Sequence, residues 1–271
     1  MSKSLVWEDK QKGGLAGIDP KYTGALQSKE EIAEETEKLR EEFHKLQEKL
    51  VAVKDKGIVF IFQGMDCSGK DGVIKHVFSG LNPQGISSYS FKAPTEEEKL
   101  HDYLWRAHNK VPALGYIATF NRSYYEDVLI TRVHGIVSDK EARRRFKQIN
   151  HFETYLMDNQ VHVVKIFLHI SNDFQLEKLR SRIEDPSKNW KFDASDLAER
   201  KHWKKYWAYY EEAFEKCSKA SPWHIIPSDN RWYRNYAVLK IVVDSMRSLK
   251  LNDPEPNPEL IKLLDEFKNT E

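Results

Sequence analysis

The sequence is short of cysteine, of long apolar stretches and of net charge, and each scarcity removes a class of function. Two cysteines, Cys67 and Cys217, stand in 271 residues. They lack metal-ligand spacing and are too few for a disulfide scaffold, so a reducing, cytoplasmic setting is expected. No run approaches the roughly 18 apolar residues of a membrane span, and no membrane partner is expected. The opening MSKSLVWEDKQKGG has no apolar core behind its lysines and does not read as a secretory signal. The formal net charge is +1 although 31% of residues are charged. Bulk charge therefore gives nothing to attract nucleic acid, and any anion site has to be built locally.

What is present is an alternation of elements. Residues 1–27, rich in Gly, Lys, Ser and Asp, read as an N-terminal arm lying on the surface. From about 28 to 52, Ile32, Leu39, Phe43, Leu46 and Leu50 recur at helical spacing, predicting an amphipathic helix for domain packing or a subunit contact. GIVFIF, 57–62, is a buried strand, and further strands are expected at 85–91, 115–120, 161–170 and 223–227. Helical patterning fills 69–80, 95–110, 138–158, 172–184, 195–218 and 232–250, with Thr95 and Glu98 forming a capping box. This order predicts an α/β fold: a parallel five-stranded sheet with helices on both faces. One domain would span 28–251, and 252–271, with three prolines, would be a C-terminal tail, either a short docked helix or loose chain.

Gly64 to Lys70, in IFQGMDCSGKDG, fits G-x-x-x-x-G-K between a strand and a helix. Successive backbone N–H groups and the helix N-terminus face an anion there, and the lysine adds a point charge. Gly64, Met65, Cys67, Ser68, Gly69, Asp71 and Gly72 are thus phosphate- and nucleotide-binding candidates, with Cys67 read as a small packed residue and not a nucleophile. Asp71 stands where such loops carry serine or threonine. A carboxylate beside phosphate implies a bridging cation. Asp66 is the better candidate for the active centre, while Asp71 either joins it or caps the first helical turn.

A second centre is expected in FNRSYYEDVLITRVHG, 120–135. Asn121, not aspartate, follows the strand, so Glu126 or Asp127 has to supply a carboxylate. Arg122 and Arg132 are candidate phosphate ligands. Tyr124 and Tyr125 read as core or rim packing before base stacking. After the fourth parallel strand, Arg180, Arg182, Lys188, Lys191, Trp190 and Phe192 flank a break at Asp185-Pro186. Helix, broken basic turn, helix is the pattern of a closing lid, about 180–200, or of a solvated hairpin. Arg143, Arg144, Arg145 and Lys147 either line the same cleft or face water.

Taken together, GMDCSGKDG, FNRSYYEDVLITRVHG, KIFLHIS with DPSKNWKF, and PWHIIPSDNRWYRNYAV resemble the type 2 polyphosphate kinase family over about 19–249. SFKAPT and HDYLWRAH resemble the branch that accepts both nucleoside mono- and diphosphates. The resemblance implies a P-loop kinase-like three-layer fold with a helical lid, Mg2+ (with Mn2+ as a substitute), and self-association as a dimer or tetramer. It implies phosphoryl transfer from inorganic polyphosphate to ADP and AMP, with guanine nucleotides as further acceptors. By the family's motifs Asp66, Lys70, Asp127 and Arg182 would be catalytic, Asp66 and Asp127 the metal pair, and Arg122, Arg132 and Lys188 phosphate ligands. The alternatives are an ATP-dependent nucleotide or small-molecule kinase and a non-catalytic nucleotide sensor.

Overall fold

The computed structural model describes residues 5–7 and 13–254, together with 259, 260, 263 and 267. Its centre is β2 (Gly57–Gly64), buried along its whole length, as the unbroken apolar run requires. It pairs in parallel with β4 (Ile117–Asn121) on one side and β5 (Val161–His169) on the other. Beyond β4 lies β3 (Ile86–Ser90), and beyond β5 lies β6 (Trp223–Pro227), both parallel. These are the five expected parallel strands.

A sixth strand, β1 (Leu5–Val6), pairs antiparallel with β6 and closes that edge of the sheet. It corrects the expectation of a surface arm. Trp7, Leu15 and Ile18 are buried, the Leu15 N–H donates to Glu211 at 2.7 Å, and the Ile18 carbonyl meets His169 at 3.0 Å. The segment is short of apolar residues, but Trp7, Leu15 and Ile18 go inward, while Tyr22 stays exposed. The tail expected at 252–271 lies largely outside the described residues.

Alternation along β2 splits the core in two. Val59 and Ile61 join the layer under α6 (Asp139–Asp158) and α9 (Trp203–Lys216). Ile58, Phe60 and Phe62 face α1 (Ala33–Val53), α2 (Lys70–Val77) and α10 (Arg231–Ser248). Two-sided burial explains why β2 and β5 read as long apolar runs, whereas the edge strand β3, ISSYS, is largely exposed. Leu39, Phe43 and Leu50 of α1 are buried in this second layer, so that helix serves domain packing. Among the described residues no helix is long and apolar enough to cross a membrane.

Two helices are more broken than periodicity predicts. The 95–110 segment forms only α3 (Glu96–Lys99), with the Thr95–Glu98 capping box, and α4 (Trp105–His108). Between them the Asp102 carboxylate accepts from the Leu104 N–H at 3.0 Å, a local turn that competes with helix. α5 (Ile130–Val133) is a single turn. α7 (Asn172–Glu184) ends where Asp185-Pro186 begins a 3-10 turn to Lys191, and α8 (Ala194–Arg200) follows, separate from α9.

His224, in β6 beside Val6, has its pKa pushed down to about 4 by burial alone. The native protein thus binds fewer protons than the unfolded chain between about pH 6.5 and pH 4, and stability falls as the pH falls through that window. Urea unfolding across it should show a shallower pH dependence for His224→Leu than for the wild type.

Candidate active site

β2 delivers the chain into the loop Gly64–Gly69, and α2 begins at Lys70. Gly69 sits at φ +90, and a Cβ there would lie 2.0 Å from the Arg234 guanidinium. Both the backbone conformation and the packing thus demand glycine. Cys67 adopts φ +66 without that freedom, and burial pushes its thiol pKa up to about 11. It is half-buried and borders the cleft, and the raised pKa disfavours the thiolate that a nucleophile needs. Lys70 is buried, with its Nζ donating to the carbonyls of Gly64 at 2.8 Å and Met65 at 3.1 Å. Burial lowers its pKa, with Arg122 adding to the effect.

Asp66 accepts from the Arg122 guanidinium at 2.7 Å. Burial works against the Arg122 charge, but Glu126 and Asp66 outweigh it and hold the group protonated. Asp71 makes no helix cap; its carboxylate accepts from the Asn121 side chain at 2.7 Å. That bond closes the loop helix onto the end of β4.

These groups open onto a cleft of about 960 Å3. Among the described residues its lining carries nine Lys and Arg against three Asp, a local excess that the near-zero net charge of the chain conceals. Arg182 and Lys188 reach it from the basic hairpin. Arg182 donates to Asp196 at 3.1 Å, and Lys188 pairs with Asp185. Asp66 and Arg122 also line a small adjoining pocket, where they meet Glu126 and Glu199. Gly64 and Met65 border that pocket, Gly72 borders the larger cleft, and Ser68 is buried beneath the loop.

Two expected residues, Asp127 and Arg132, line neither space. Asp127 is buried between Arg106 at 3.9 Å and Arg145 at 3.6 Å, and burial raises its pKa to about 6 against the pull of those arginines. Its neighbour Glu126 is the carboxylate on the Asp66 side, accepting from Gln63 at 3.0 Å. Arg132 is not brought to the cleft. It donates to Asp139 at 2.7 Å and Glu212 at 2.6 Å and lies 4.0 Å over the Tyr209 ring. Of the basic run in α6, Arg145 serves Asp127, and Arg144 pairs with Glu141 on the surface.

Sequence reasoning missed Arg234. From the first turns of α10 it is buried, donates to the Ser68 carbonyl at 3.2 Å and borders the cleft with Arg231. Burial lowers its pKa to about 10, with Arg231 adding to the effect. The available signal was the pair of arginines three residues apart in NRWYR, one helical turn, placed directly after a strand end.

Among the described residues no three His, Cys, Asp or Glu side chains are grouped to hold a metal ion. The donor set present, Asp66 and Glu126 bordering one pocket beside a phosphate loop, fits a magnesium ion that takes its other oxygens from substrate phosphate and water.

Comparison with known proteins identifies the family. A family model described as Polyphosphate kinase 2 matches residues 26–254. An ADP-polyphosphate phosphotransferase of Rhodopseudomonas palustris is 41% identical over 258 residues, 89% of this chain and 86% of the relative. An AMP/ADP-polyphosphate phosphotransferase of Meiothermus ruber is 40% identical over 254 residues, 93% and 95% of the two chains. The crystal structure of Polyphosphate Kinase 2 from Arthrobacter aurescens TC1 superposes with a TM-score of 0.88 at 40% identity, covering 94% of this chain and 93% of that one. With the phosphate loop, the basic cleft and the fold all in agreement, the chain belongs to the polyphosphate kinase 2 family.

Proposed function

We propose that this protein transfers a phosphoryl group from inorganic polyphosphate to ADP, and to AMP, in the cytoplasm. The observation that carries the reading is the lining of the large cleft, nine basic residues against three acidic ones. Polyphosphate is a linear anion with no base or sugar to grip, so its recognition has to come from charge distributed along a groove.

In the reaction one phosphoanhydride of the donor breaks and another forms on the nucleotide's terminal phosphate. That phosphate is already largely ionised near neutral pH, so no general base is required. The protein's work is alignment and charge neutralisation. Lys70 and the loop N–H groups hold the transferring phosphoryl group, and Arg122 orients beside it. Bound magnesium, or manganese in its place, would neutralise phosphate charge, with Asp66 and Glu126 as the side chains to hold it; Asp127 instead fixes Arg106 and Arg145. The α7–α8 hairpin is the lid, and its closure brings Arg182 and Lys188 over the donor and excludes water. Because like bonds are exchanged, the reaction runs in both directions according to concentration.

Purified protein with ADP, magnesium and polyphosphate, and no added ATP, should form ATP. No ATP, as from a nucleotide sensor, or ATP formed equally well without polyphosphate, as when an ATP-dependent nucleotide kinase converts two ADP to ATP and AMP, would overturn the reading.

A further inference from the structure

Under the Arg122–Glu126 segment lies a closed polar network that takes no part in the cleft. Glu153 of α6 and Lys165 of β5 form an ion pair at 2.6 Å with both side chains fully buried. Lys165 sits on the same sheet face as Val163 and Phe167, where the strand pattern calls for an apolar residue. Its ammonium donates to Glu153, to the Tyr125 hydroxyl at 3.1 Å and to the Cys217 carbonyl, so all three of its donors are used. The other Glu153 oxygen accepts the hydroxyls of Tyr124 at 2.9 Å and Tyr125 at 2.8 Å.

A buried ion pair is a poor source of stability, since desolvation offsets most of the attraction. What this one does is specify geometry. Tyr124 and Tyr125 stand between Arg122, which bonds Asp66, and Glu126, which faces the same pocket. Arg122 itself holds a left-handed backbone, φ +62, that a residue with a side chain disfavours. Two rings locked at their hydroxyls fix this turn from beneath, so that Arg122 and Glu126 leave it in one direction.

We propose that Tyr124 and Tyr125, anchored through their hydroxyls on the one Glu153 oxygen, are positioning residues for Arg122 and Glu126; the inference rests on the reaction proposed above. Tyr124→Phe/Tyr125→Phe keeps the packing and removes both anchors. Its turnover in ATP synthesis should fall at least about tenfold, as a small misplacement of reacting groups does, with KM for ADP little changed. Glu153→Gln/Lys165→Met removes both charges together and keeps an acceptor for the two hydroxyls, so it should retain turnover close to wild type. Backbone hydrogen exchange over 121–128 should accelerate in the first variant only, and this readout does not depend on which reaction is catalysed. Wild-type protein that makes no ATP would sink the proposed function, and the exchange result would still decide the positioning role. A folded Tyr124→Phe/Tyr125→Phe protein with wild-type turnover and unchanged exchange would overturn it. So would parallel losses of stability and activity in both variants.

Discussion

Lys70→Ala is expected to leave a folded protein that makes ATP from polyphosphate and ADP on the order of 100-fold more slowly, or worse, as does loss of one preorganised charge contact. The side chain lies over its own loop and bonds only the carbonyls of Gly64 and Met65 and the Ser68 hydroxyl. Burial lowers its pKa, and an ammonium kept in a dry site acts on phosphate with less screening than one in water. Steady-state turnover alongside circular dichroism and thermal melting checks the expectation. A folded variant with near wild-type turnover would remove Lys70 from the reaction.

How far the sequence disclosed this site depends on how local each contact is. The phosphate loop was legible because its function resides in backbone N–H groups and in glycine's conformational freedom, both set by adjacent residues. Asp66 was legible for the same reason. Glu126 and Asp127 were not separable. They are consecutive in a 3-10 turn, where each residue advances about a third of a revolution, so one carboxylate faces Arg122 and the other Arg106. Choosing between them requires knowing where Arg106 and Arg145 lie, and only the fold says. The position of Arg132 was hidden similarly, because its partner Glu212 is far along the chain. Arg234 reaches the loop from the opposite end of the sequence. β2 and β5 read well because two-sided burial writes itself as an apolar run. β1, with only two residues, wrote nothing.

Arg182 carries the other large expected effect. It lines the cleft from α7 and donates to Asp196 at 3.1 Å, so both ends of the hairpin meet at this ion pair. Burial raises the Asp196 pKa, with the Asp66 charge adding to it, which places the pair within electrostatic reach of the phosphate loop. If the guanidinium moves onto the transferring group as the lid closes, its planar fork of donors contacts two oxygens at once, and an ammonium cannot. Arg182→Lys should then keep the Asp196 pair and the charge of the cleft and still lose at least about tenfold in turnover, a modest part of what an arginine finger contributes. The loss should appear in kcat more than in KM, because the contact strengthens as charge develops in the transition state. Nucleotide affinity measured without donor should hardly change. Lys188→Ala makes the contrast. That lysine is exposed and tied to Asp185 within the turn; if it gathers the polyanion, its loss should raise the polyphosphate concentration required, and salt should mask the defect. Kinetics of the two variants at two ionic strengths separate a charge that collects the donor from one that acts on the reacting phosphoryl group. Wild-type turnover in Arg182→Lys would leave Arg122, already bonded to Asp66, as the guanidinium at the reacting centre.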